Sequence, residues 1–192
     1  MKKIENNTTN QGHIRLSPHL TSSNVAALSH SSKLDGIRLS PHFTLGELCK
    51  TRVDADNTPN EEQTENLRNL CQWLEKLRQR WNDRYESLTP NPSPKGEGDS
   101  EAPIIINSGF RSEAVNKAVG GMKGSNHLTG CAVDIRCIGL EQALRYACIL
   151  LDISDEMRKD FDELIIEKKG TCYWLHFAVR PSDNRRRTNF IR

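Results

Sequence analysis

No run of apolar residues in this 192-residue sequence reaches the ~20 needed to cross a bilayer, so no membrane span is expected. No charge of one sign dominates either. The formal net charge is +2, with acidic and basic residues mixed throughout, which gives no electrostatic footprint for a nucleic acid or an anionic membrane surface. The N-terminus, Met-Lys-Lys-Ile-Glu-Asn-Asn-Thr-Thr, starts basic but lacks an apolar stretch. No secretory signal is therefore expected, and synthesis in the cytoplasm follows. No two of the six cysteines (Cys49, Cys71, Cys131, Cys137, Cys148, Cys172) form a CxxC pair. Most are expected to be small buried hydrophobes rather than disulfides or zinc ligands.

The length suits one domain of ordinary size with irregular sequence attached. Residues 1–35 are polar and rich in Asn, Ser and Thr, and read as a poorly ordered leader. Within them Ile14-Arg-Leu-Ser-Pro-His-Leu-Thr21 anticipates Ile37-Arg-Leu-Ser-Pro-His-Phe-Thr44. Only the second copy runs into folded sequence, so His19 reads as a bystander. Residues 84–102 hold three prolines and two glycines without apolar periodicity, and predict a flexible insertion. The run Arg185-Arg186-Arg187 reads as a solvated tail rather than an RNA or phosphate patch.

Thr44-Leu-Gly-Glu47 is a capping box that opens a short helix. Thr58-Pro59-Asn-Glu61 predicts a second box, with proline at the first helical position. From there Leu67, Leu70, Cys71, Leu74, Leu77 and Trp81 recur at helical spacing, giving a core-packing helix over 60–82. Ile104-Ile105-Ile106 predicts a buried strand, and Ser112 caps a short helix that Gly120-Gly121 ends. Residues 132–136 read as a strand and 140–150 as an amphipathic helix. Residues 163–167 and 173–179 read as strands joined by the turn 168–171. The fold class is α+β: helices packed with a small, mostly antiparallel sheet.

Two imidazoles and one carboxylate stand out as metal donors: His127, Asp134 and His176. On its strand Asp134 shares a face with Ala132 and Arg136, and His176 shares one with Trp174 and Ala178. Neighbouring strands would let the two donors converge, with His127 arriving from the glycine-containing loop before the first strand. Three protein ligands leave a fourth tetrahedral position open, as in a catalytic zinc site rather than a structural one.

The strings Ser108-Gly-Phe-Arg-Ser, Val119-Gly-Gly, Ser125-Asn-His-Leu-Thr-Gly-Cys-Ala-Val-Asp and Trp174-Leu-His resemble the M15 family of zinc D-Ala-D-Ala carboxypeptidases. The likeness is narrower to the branch of zinc D,D-peptidases and phage endolysin peptidases, whose fold is shared with the hedgehog signalling domain. It runs from about Leu39 to Val179, interrupted at 84–102. It implies a zinc peptidase domain over 36–192, with Zn²⁺ held by His127, Asp134 and His176. It also implies Arg111 as the group that binds a substrate carboxylate or polarises the scissile carbonyl, and Ser125 as a residue lining the site. The implied substrate is the peptide stem of peptidoglycan, cut at D-Ala-D-Ala or a related amide. The implied partner is that peptide alone, with no nucleic acid, and the chain is expected to be a monomer. Without a secretory signal, action on the bacterial wall points to phage or prophage lysis.

The sequence departs from much of that family at the catalytic base. Many members carry Asp or Glu three residues before the last histidine, where this chain has Tyr173, a poor base at neutral pH. Glu167, at the end of the preceding strand, is the first choice for the base, with Glu163 and Asp162 as alternatives. A non-catalytic zinc module of the same fold, binding peptidoglycan or another partner, is the rival reading, and Tyr173 is its best support.

Overall fold

The structure, a computed structural model, describes residues 34–88 and 102–191. Residues 1–33 with His19, and residues 89–101 of the insertion, lie outside it, so the expectations for them are not addressed by it.

The second copy of the repeat straps the chain onto a long helix. Ser40 Oγ and the His42 amide donate to Glu75 Oε1 (2.7 and 2.8 Å), and His42 Nδ1 lies 2.7 Å from Glu75 Oε2. Helix α1 (Leu45–Leu48) follows, capped as expected: the Glu47 amide donates to Thr44 Oγ1 at 3.2 Å. Phe43, Leu45 and Leu48 are buried beneath this strap.

Helix α2 spans Glu61–Leu88 and differs from the expectation at both ends. Its capping box is Asn60 with Gln63, each amide bonded to the other's side-chain oxygen at 2.8 Å. Thr58 instead turns back onto Asp56, its amide and hydroxyl both donating to Oδ1. Pro59 therefore precedes the cap rather than opening the helix. At the other end no helix breaker occurs before Pro90, so the helix continues past residue 82 into the segment read as insertion. Asn82 then clamps the far side of that segment, with its Oδ1 accepting the Ala102 amide at 2.9 Å.

Five strands follow: β1 (Ile106–Ser108), β2 (Ala132–Cys137), β3 (Glu163–Lys169), β4 (Cys172–Ala178) and β5 (Arg187–Ile191). They lie in the order β1-β2-β4-β3-β5. Helices α3 (Glu113–Ala118) and α4 (Gly139–Met157) complete the described elements, with a single 3₁₀ turn at Asn126–Thr129. Strand β1 starts later than expected and is an edge strand, with Ile104 buried but Ile105 exposed. Ser112 caps α3 as expected.

The sheet is mixed rather than antiparallel throughout. β1–β2, β2–β4 and β3–β4 pair antiparallel, and β3–β5 pairs parallel. The connection explains the parallel pair. β4 ends beside the start of β3, since Ala178 pairs with Glu163. The chain then swings past that end to the free side of β3, where Arg187 meets Glu163, and has to run the same way as β3.

The expected solvated tail is therefore a strand anchored by its arginines. Arg185 bonds Asp162 (2.8 and 2.7 Å), Arg186 reaches Ser154 and Asp160 (2.8 and 3.1 Å), and Arg187 reaches Glu163 (3.2 Å). Every β5 side chain is exposed, so no apolar alternation marks it in the sequence.

One sheet face forms the core. Val133, Ile135, Leu164, Ile166, Leu175 and Phe177 are buried there, together with Leu70, Trp73, Leu74 and Leu77 of α2 and Ile149, Leu150 and Ile153 of α4. Trp73 meets Phe177 with ring centroids 5.5 Å apart. Each large apolar side chain buried in this way contributes roughly 1.5–3 kcal/mol. Cys49, Cys71, Cys131 and Cys137 belong to the interior, whereas Cys148 and Cys172 are exposed; all six are free thiols. Burial pushes the thiols of Cys49, Cys71 and Cys137 up to about 12, which keeps them protonated and inert.

Candidate metal centre

The opposite sheet face carries the polar residues. β2 and β4 are neighbours, and Asp134 pairs directly with His176. Cross-strand partners point to the same side, so the two donors converge as their spacing suggested. On the far side of β4, Ile165 pairs with His176 and Glu167 with Trp174, which puts Glu163, Ile165 and Glu167 on this face too.

His127 reaches the face from the 3₁₀ turn. Ser125 caps that turn, its Oγ accepting the His127 amide at 3.4 Å. Gly130 closes it at φ 72°, where a Cβ would lie 2.4 Å from the Gln63 carbonyl oxygen. No other residue fits that left-handed, crowded position without displacing α2. His127 is 2% exposed, and its Nδ1 lies 2.6 Å from the Gly109 carbonyl oxygen. A carbonyl can only accept, so Nδ1 donates to it and Nε2 is the nitrogen left to face a cation.

Nε2 faces Asp134. His127 Nε2 is 3.2 Å and His176 Nδ1 3.0 Å from the same oxygen, Asp134 Oδ1. One donor atom from each of the three residues lies within 4.8 Å of the others, and all three residues are buried. Two imidazole nitrogens and a carboxylate oxygen at this spacing fit a tetrahedral divalent cation with its fourth position facing the cleft.

The electrostatics fit the same occupant. Burial works against the charge on Asp134, but the two histidines outweigh it and hold the carboxyl well below its usual range. Burial likewise works against a charged His176, yet the hydrogen bond to Asp134 and the nearby carboxylate of Glu163 lift it to about 9. A cation among the three donors would take the place of that ring proton.

Arg111 braces the centre. Its Nη2 bonds Asp134 Oδ2, its Nε donates to Ser108 Oγ at 2.8 Å, and its amide donates to the His127 carbonyl at 3.1 Å. Part of the guanidinium is thus engaged structurally, while the side chain still lines the cleft. That cleft has a volume of about 580 Å³. Ser125 and Glu167 also line it, and its rim includes the apolar Val119, Met122, Trp174 and Ile191.

The three carboxylates considered for the base differ sharply. Asp162 is fully buried and bonded to Arg185, Arg180 and Asn126. Glu163 lies 3.5 Å from Nε2 of His176, on the ring's far side from Asp134, and His176 is the main cause of its lowered pKa. Glu167 makes no hydrogen bond or ion pair with a described side chain, and it faces the cleft. Burial, and next the charge of Asp134, raise its pKa. Tyr173 packs partly buried against the core. Tyr173 and His176 lie three apart in one regular strand, so the Tyr173 side chain falls on the opposite face from the trio.

Sequence reasoning missed Asn126 and the arginines of β5 as supports of the centre. The alternation Glu163, Ile165, Glu167 was the available signal for a shared face.

Asp162 makes the fold acid-sensitive. Burial would raise its carboxyl, but Arg185 and Asn126 override this and bring it from 3.8 to about 2. A carboxylate with a depressed folded-state pKa stabilises while ionised. Its contribution is full above about pH 4 and drains away as the pH falls toward 2. Between about 1 and 2 kcal/mol should disappear across that window, after allowing for the half-exposed Arg185 partner. Urea titrations at stepped pH should show this loss, and Asp162→Asn should flatten it.

A cation-fitting trio lining a cleft, two donors from neighbouring strands and one from the 3₁₀ turn, defines a candidate mononuclear metal centre. Residues 96–165 match the family model described as Peptidase M15, so this part of the chain is similar to that family. The matched stretch holds Arg111, His127, Asp134 and Glu163 and stops short of Glu167 and His176. No curated protein matches the chain.

Proposed function

We propose that this chain is a zinc-dependent peptidase that hydrolyses D-Ala-D-Ala or a related amide in peptidoglycan stem peptides. The observation that carries the proposal is the convergence of His127 Nε2 and His176 Nδ1 on Asp134 Oδ1 at the floor of the cleft. The M15 match supports peptidase chemistry. The likeness of the Ser108–Ser112, Ser125–Asp134 and Trp174–His176 strings to D,D-peptidases and endolysins supports the substrate. The same likeness supports a hedgehog/D,D-peptidase fold for a domain over 36–192, acting as a monomer at the bacterial wall.

His127, Asp134 and His176 would hold the ion. Zinc bound there supplies Lewis acidity to the scissile carbonyl and to the attacking water. Glu167 faces the cleft, and its side chain makes no hydrogen bond or ion pair among the described residues. It takes a proton from the water as the oxygen adds to the acyl carbon, and returns it to the leaving nitrogen as the C–N bond breaks. Nε and one Nη of Arg111 are committed to Ser108 and Asp134. A guanidinium has five N–H donors, so others remain to stabilise the developing oxyanion or a substrate carboxylate. Ser125 keeps its hydroxyl at the cleft wall, where it can donate to the peptide. Tyr173 lies on the opposite strand face, and the position of Glu167 on the cleft face supports the catalytic reading over a non-catalytic module.

Purified sacculi incubated with the zinc-loaded protein should release new muropeptide termini, and a chelator should stop the release. Mass spectrometry of the fragments reports the bond cut. Intact muropeptides after incubation with fully zinc-loaded protein would reject the peptidoglycan assignment.

A further inference from the structure

The metal-centre reading leaves one carboxylate without a task. Glu163 opens β3 on the cleft face, one position along that face from Ile165, the partner of His176. Its side chain is 14% exposed and held from several directions. Asn126 Nδ2 donates to it at 3.2 Å, Arg185 Nη2 lies at 3.0 Å and Arg187 Nη1 at 3.2 Å. The remaining neighbour is Nε2 of His176, 3.5 Å from Oε2. A carboxylate so committed, on the far side of the ring from Asp134, is poorly placed to act on water in the cleft.

An imidazole offers one nitrogen to a metal when the other carries the proton, and the group accepting that proton decides which. His127 has the Gly109 carbonyl for this purpose. For His176 the corresponding acceptor is Glu163. We propose that Glu163 is a positioning residue that accepts the Nε2 proton of His176 and so keeps Nδ1 turned toward Asp134 and the ion. The proposal rests on the metal reading given above. It also gives β5 a purpose, because Arg185 and Arg187 fix the carboxylate in place. Asn126 extends the brace. It bonds both Asp162 (2.7 Å) and Glu163 and immediately precedes His127, so one polar network supports the first and last ligands together.

Zinc affinity, measured by competition with a chromophoric chelator, tests this on the wild type, Glu163→Ala and Glu163→Gln. The alanine variant should bind zinc roughly 10–100-fold more weakly. Glutamine, whose amide oxygen can still accept the proton, should fall between the two. The ¹⁵N spectrum of the zinc-loaded wild type, which needs no variant to fold, should show His176 protonated at Nε2 and metal-bound at Nδ1. Equal zinc affinity in all three proteins, or a spectrum with Nε2 on the metal, overturns the role of Glu163 and leaves the metallopeptidase reading standing. A folded wild type that takes up no zinc overturns the metal reading, and this proposal with it.

Discussion

Asp134→Ala should leave a chain that neither retains zinc nor hydrolyses its substrate. One oxygen of Asp134 is the point on which both histidines converge, and the other holds Arg111. Removing it leaves two imidazoles too few for a tetrahedral site. It also leaves a guanidinium, 18% exposed, without its counter-charge. The Lewis acidity lost is worth several kcal/mol of barrier, so the rate should fall roughly a thousandfold or more at ~1.4 kcal/mol per decade. A shortfall in folding is the competing explanation, because stranding a partly buried charge can itself cost about 3–5 kcal/mol. Asp134→Asn keeps the volume and an oxygen that can still accept from Arg111, which reduces the folding cost. It should fold, as circular dichroism will show, yet bind zinc far more weakly and lose most activity. Substantial hydrolysis by either variant in zinc-free buffer would rule out the metal mechanism.

Glu167→Gln should produce the opposite pattern, with zinc content unchanged and turnover reduced by about 10²–10⁴-fold, the usual contribution of a general base. Glu167 shares the cleft face with His176, two residues along from Ile165, and has no described partner whose loss would disturb the fold. The defect should therefore lie in kcat rather than in stability. A Glu167→Gln protein that turns over within a few-fold of the wild type would remove Glu167 from the reaction. Together with the Glu163 variants, which should lower zinc affinity, this separates the carboxylate that acts on water from the one that orients a ligand.

Much of this arrangement was legible in the residues. Strand parity placed Asp134 and His176 on defined faces before any pairing was known, and the observed register joins them directly. The glycines marked the loop that delivers His127, whereas the Ser125 cap of its turn was not anticipated. The long helix was clear from its apolar spacing, but its start was not. Thr58-Pro59 and Asn60–Gln63 both satisfy a capping pattern, and Asp56 claims Thr58 through a local bond that sequence spacing does not reveal.

β5 was the larger omission. Its five residues bury no side chain, and it is held by the ladder to β3 and by arginines bound to carboxylates distant in sequence. Hydrophobic periodicity carries no information about a strand stabilised in that way. The distinct tasks proposed for Glu163 and Glu167 were hidden for a related reason. They share a face, and only the position of the His176 ring between Asp134 and Glu163 tells them apart.

The most direct measurement is an anomalous difference map from crystals of the zinc-loaded protein, recorded at the zinc absorption edge. A single peak is expected about 2.0–2.2 Å from His127 Nε2, Asp134 Oδ1 and His176 Nδ1, with its open side toward Glu167. A map with no peak among these atoms, or with the zinc bound elsewhere on the chain, would contradict the account.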